Sequence, residues 1–180
     1  MPFIKYREIP EEHYEIIQLL AKLVLEESRD NNDCNETAIT YSLDGIDIFD
    51  EGGRCVTVAY GNDHSVDPME TTLSYHLIGN SASCVVVIIH NHPSLSKISL
   101  QDVSLMLSYA SIKMIVAVTN LGAINYIVRR ENFNRIEALR LFSEATDKYR
   151  AAGNDLKKRQ EATDYFLSHC YEIGIIFDDK

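Results

Sequence analysis

Apolar and polar positions follow two rhythms along this chain, helical in some stretches and period-two in others. Over residues 9–30, Ile16, Leu19, Leu20, Leu23 and Val24 recur at helical spacing, Pro10 suits the first turn, and Glu11 and Glu12 suit its positive end. The pattern predicts an amphipathic helix that Asn31, Asn32, Asp33 and Asn35 break. From Thr37 the rhythm becomes two: Thr37, Ile39, Tyr41 and Leu43 share one face of a strand, and Glu36, Ala38, Thr40 and Ser42 share the other. Turns at Asp44-Gly45 and Gly52-Gly53 frame hairpin-like strands running through Cys55 to Tyr60. Asp67-Pro68 opens a short helix closing near Gly79-Asn80.

The run Cys84-Val85-Val86-Val87-Ile88-Ile89 is apolar throughout and rich in β-branched residues, so it predicts a central strand covered on both faces. It gives way to His90-Asn91-His92-Pro93-Ser94. A helix is expected from about Leu100 to Tyr109, then strands over Met114–Thr119 and Ala123–Val128. Residues 131–172 read as helical, with a break at Ala151-Ala152-Gly153-Asn154. The expected organisation is an α/β domain over 1–130 and a helical extension over 131–180, packed on the core or mediating association, with a homodimer one such outcome. Within it, His76 is expected to pack in its helix, His64 to occupy a turn, His13 to be solvated, and Asp178-Asp179 to form a solvated tail.

Composition narrows the class. At 180 residues, 46% hydrophobic and 24% charged, the chain can build a core without staples. A net charge of −10 disfavours direct nucleic-acid binding, which depends on Lys and Arg neutralising phosphates. Cys34, Cys55, Cys84 and Cys170 are scattered, which implies neither a disulfide framework nor a cysteine-rich zinc knuckle. No apolar run approaches the roughly 20 residues of a membrane span, and a cytoplasmic location is expected.

The chemistry concentrates where the apolar strand ends. Alternation sends His90 and His92 to one side and Asn91 to the other, so both imidazoles can reach one ion at about 2.0–2.1 Å. Pro93 turns the chain away, and Asp102, ten residues beyond His92, can return a carboxylate to the same ion. Two histidines and one carboxylate leave a fourth tetrahedral position open, as catalytic zinc requires. Ser99 and Asp102 also read as a capping box at the start of the next helix.

His90-Asn91-His92-Pro93-Ser94 followed by Ser99-x-x-Asp102 resembles the H-x-H-P…S-x-x-D signature of the JAMM (JAB/MPN) metalloprotease superfamily, closest in wording to its RadC-like branch. The likeness covers roughly residues 33–130. It implies a JAB/MPN-like (cytidine deaminase-like) mixed sheet flanked by helices, Zn2+ held by His90, His92 and Asp102, and hydrolysis of a peptide or isopeptide bond. It further implies a protein substrate, with the tail of a ubiquitin-like modifier one such class. An upstream glutamate would act as general base. Glu36 matches best, with Glu51 and Glu70 as rivals, the latter within a V-x-P-x-E stretch that is itself RadC-like. Ser99 would donate to the oxyanion. The chain departs from the pattern in the loop, one residue shorter between His92 and Asp102 and carrying Leu95 where the RadC-like branch has glycine. The same likeness admits an accessory protein of a DNA-repair or mobile-element process that works through protein partners without proteolysis.

Overall fold

A computed structural model describes residues 3–93 and 96–179 of the chain. It is an α/β fold: one mixed sheet of six strands with helices against it. In chain order the elements are α1 (Tyr14–Asn31), β1 (Thr37–Ser42), β2 (Val58–Tyr60), α2 (Thr72–Asn80), β3 (Val86–His92), α3 (Leu100–Ser108), β4 (Ile112–Thr119), β5 (Ile124–Arg129), α4 (Arg135–Ala151), α5 (Leu156–His169) and β6 (Ile175–Asp179). The sheet order is β2-β1-β3-β4-β5-β6, parallel only between β3 and β4. Parallel neighbours need a crossover, and α3 is the helix within it.

β3 lies at the centre with all seven residues buried, as its unbroken apolar run predicts. It also extends further than that run. His90, Asn91 and His92 are paired strand residues, opposite Ala117, Val118 and Thr119 of β4, and Ala38 of β1 also faces His90. Both cross-strand neighbours of His90 are therefore alanines, whose small side chains leave room above the ring. The odd positions Ile39, Ile89 and Asn91 share a face with α1, which packs on β1 and β3. The even positions Ala38, Ile88, His90 and His92 line a cavity on the opposite face.

α3 is held at both ends. Ser99 and Asp102 form a reciprocal capping box at its start. At its finish the guanidinium of Arg129, 3% exposed, donates to the carbonyls of Ala110 (2.9 Å), Tyr109 (3.1 Å) and Met106. Phe133 stacks against that guanidinium at 4.7 Å. This anchor fixes the helix that delivers Asp102.

Several expectations need correction. The first helix is preceded by a 3₁₀ turn, Glu11–His13, and α1 begins only at Tyr14. α2 starts at Thr72 rather than at Pro68, because Asp67 spends its carboxylate on Met69 N–H and Thr71 supplies the cap. His76 is exposed, and His13 is bonded through Nδ1 to the Tyr41 hydroxyl at 2.8 Å. Asp178 and Asp179 end a sixth strand. β6 pairs antiparallel with β5, Tyr126 donates to Asp178 at 3.0 Å, and Lys97 pairs with Asp179. The sheet thus includes residues from both 1–130 and 131–180, while α4 packs on α3 and α5.

Replacing Arg129 with Met nearly keeps the volume but takes the side-chain donor from the Met106 carbonyl, while Ala110 O and Tyr109 O keep Cys84 N–H and Ile112 N–H. Urea unfolding should show a loss of about 2 kcal/mol, since a buried acceptor left unsatisfied costs roughly 1–3 kcal/mol. A loss under about 1 kcal/mol would mean that Arg129 does not anchor the helix.

Candidate metal centre

The cavity holds about 630 Å³, and Glu36, His90, His92, Ser99 and Asp102 all contribute to its wall. Ser94 and Leu95, which carry part of the motif and one of its departures, lie outside the described residues. The two imidazoles meet edge to face with Nε2 atoms 2.9 Å apart. Asp102 Oδ1 lies 3.1 Å from His90 Nε2, and Oδ2 lies 3.8 Å from His92 Nε2. Among the described residues, these three form the cluster whose donor atoms fall within 4.8 Å of one another.

Neighbouring groups orient each donor. His92 Nδ1 donates to the Ser96 carbonyl at 2.9 Å, which leaves Nε2 as the lone-pair nitrogen facing the cluster. Asp102 divides its oxygens: Oδ2 accepts from Ser99 N–H and Ser99 Oγ–H, both at 2.7 Å, and Oδ1 remains for His90. The capping box and the candidate ligand set therefore share one carboxylate. Ser99 reaches the cavity wall, but its hydroxyl proton is committed to Asp102.

Charge follows from burial, with His90 at 4%, His92 at 5% and Asp102 at 9% exposure. Burial pushes the Asp102 carboxyl up more than any single neighbour lowers it, but the charge and hydrogen bond of His90, the charge of His92 and Ser99 N–H together hold it well below the ordinary range. Burial also opposes charge on His90, yet Asp102 and then Glu36 raise its pKa above the usual value. For His92, burial and the neighbouring His90 charge both act downward. The cluster thus favours one positive charge, on His90, beside the negative charge of Asp102, and a cation held there would stand in for that proton.

These observations fit zinc. Two imidazole nitrogens and a carboxylate oxygen suit its ligand preferences, Ser96 O and Ser99 N–H orient His92 and Asp102, and the Nε2 spacing can be spanned by an ion about 2.0–2.1 Å from each. Glu36 sits just before β1, half-buried in the cavity wall. Burial lifts its carboxyl above the ordinary range, with His90 opposing and Asp102 adding to the rise. The rivals are elsewhere. Glu51 is in an exposed turn, Glu70 accepts from Tyr60 N–H at 3.1 Å, and neither is among the described residues lining the cavity.

Three participants were not read from the sequence. Ser96 locks the His92 tautomer, and nothing in its identity signals that its carbonyl would do so. Asp63 and His64, read as a turn, also line the cavity. No family model, curated protein or solved structure matches this chain.

The pH dependence of stability tests the cluster in chelator-treated protein. Asp102 has a depressed folded pKa, so its contribution is present above the ordinary 3.8 and is lost as pH falls toward the folded value. His90 has a raised one, so its contribution is present below 6.5 and is lost as pH rises through the folded value. The stability gap between wild type and Asp102→Asn should peak near about pH 5 in guanidinium titrations and narrow on both sides. A gap flat from about pH 2 to 9 would contradict this charge arrangement.

Proposed function

We propose that the chain is a zinc-dependent peptidase or isopeptidase of JAB/MPN-like fold, similar to the RadC-like branch of the JAMM superfamily. One observation carries the reading: His90, His92 and Asp102 converge on one point of a cavity whose wall also holds a half-buried glutamate with a raised pKa. Buried acids and bases with shifted pKa values in a cleft are the usual mark of a reaction site.

Bound there, zinc supplies Lewis acidity, which acidifies water and polarises an amide carbonyl. The chain supplies the rest. Glu36, its pKa raised by burial, accepts the proton of the attacking water and later delivers it to the departing amine nitrogen. Water oxygen bonds to the carbonyl carbon, the C–N bond breaks, and the products are a carboxylate and an amine. Ser99 positions Asp102 and Ser96 positions His92, so both side chains are preset before any ligand arrives. An extended protein segment, such as the tail of a ubiquitin-like modifier, is the proposed substrate, with the cytoplasm as its compartment. Among the described residues, no helix is long and apolar enough to cross a membrane.

Metal analysis should find one zinc per chain in wild type and in Glu36→Gln, and little in His90→Ala or Asp102→Ala. Against fluorogenic peptide amides ending in Gly-Gly, Glu36→Gln should lose about 10²–10⁴-fold in kcat, the usual contribution of a general base. Wild type that binds no zinc, or Glu36→Gln with full activity, would overturn the assignment.

A further inference from the structure

Asn91 lies between the two candidate histidine ligands but points to the opposite face, fully buried beneath α1. There its amide has four partners. Oδ1 accepts from Thr37 N–H at 2.7 Å, and Nδ2 faces the Asn35 carbonyl at 3.2 Å, Ser28 Oγ at 3.0 Å and Asn120 Oδ1 at 3.1 Å. A backbone N–H can only donate and a carbonyl can only accept, so chemistry fixes which way round the amide sits.

The first two partners flank Glu36 in sequence. The backbone ladder between β1 and β3 ends at Ala38 opposite His90, and at the next step Asn91's side chain takes the N–H of Thr37. Residue 36 is thus gripped through the carbonyl before it and the N–H after it. Its own peptide groups are taken from the other side. Glu36 N–H donates to Asn62 O at 2.9 Å, and Gly61 N–H donates to Glu36 O at 2.8 Å. Only glycine fits there, because a Cβ on Gly61 would meet Ser65 O at 2.1 Å.

We infer that Asn91 is a positioning residue that ties the Glu36 carboxylate to the strand bearing His90 and His92. This rests on the peptidase reading for its catalytic consequence, but not for its geometry. One strand residue sets two ligands by its neighbours and the base by its own side chain. Displacing a catalytic group by about 1 Å costs on the order of 10²-fold in rate.

The test compares Asn91→Ser, which removes the grip, with Asn120→Ala, which removes a different partner of the same amide. Asn91→Asp serves as a second variant should the serine form not fold; it keeps the acceptor for Thr37 and loses the donor to Asn35. Crystal structures of the metal-free variants should show the Glu36 carboxylate moved by about 1 Å relative to the rings of His90 and His92, with those rings and Asp102 unmoved, and no such shift in Asn120→Ala. With zinc loaded, kcat on the Gly-Gly peptide amide should fall about 100-fold in Asn91→Ser with KM within about twofold, and should fall no further in Asn91→Ser/Glu36→Gln than in Glu36→Gln alone. Glu36 unmoved in the folded variants, or kcat losses that multiply in the double variant, would overturn the inference. Wild type inactive on every peptide amide would remove the peptidase reading instead, and the crystallographic comparison would still decide the role of Asn91.

Discussion

A carboxylate taken out of water must find positive charge or hydrogen-bond donors, or it will not stay ionised. Asp102 meets that constraint with His90 on one oxygen and Ser99 on the other. Much of the architecture can be traced to supplying those partners. β3 must carry the histidines as its last paired residues so that they lie inside the fold rather than at its rim. The crossover helix must start within reach of them, and it must not drift. Its start is closed by the shared serine–aspartate box and its end by a buried guanidinium bonded to carbonyls, so the carboxylate arrives on a rigid element. Rigid supports of this kind are what a preset group of side chains requires.

The sequence made the central strand, its histidines and the crossover helix legible for a common physical reason. Burial on both faces demands an uninterrupted β-branched run, and period-two geometry then assigns every following side chain to a side. The same logic placed Glu36 on the histidine-bearing face, where it lines the cavity with His90. Glu70, although within a stretch that also matched the RadC-like wording, spends its carboxylate on Tyr60 N–H, a pairing between residues ten apart that local pattern does not reveal.

What escaped depended on contacts distant in sequence. β6 is five residues ending in two aspartates, and only its pairing with β5 makes Ile175–Asp179 a strand. Asn91 reads as a spacer between two histidines, because its partners Ser28, Asn35, Thr37 and Asn120 come from three other parts of the chain. Ser96 acts through its carbonyl, a group every residue has. Side-chain identity is informative where chemistry is in the side chain, and mute where the backbone does the work.

The arrangement of protons around His90 has a thermodynamic consequence for ion uptake. Its pKa is raised by Asp102 and Glu36, whereas Ser96 leaves the facing nitrogen of His92 unprotonated. On the proposed zinc reading, a divalent ion entering the cluster would displace a hydrogen ion from His90 and none from His92. Uptake would then be an exchange: its affinity would climb with alkalinity until His90 is neutral, and its heat would vary with the ionisation enthalpy of the buffer that receives the expelled proton.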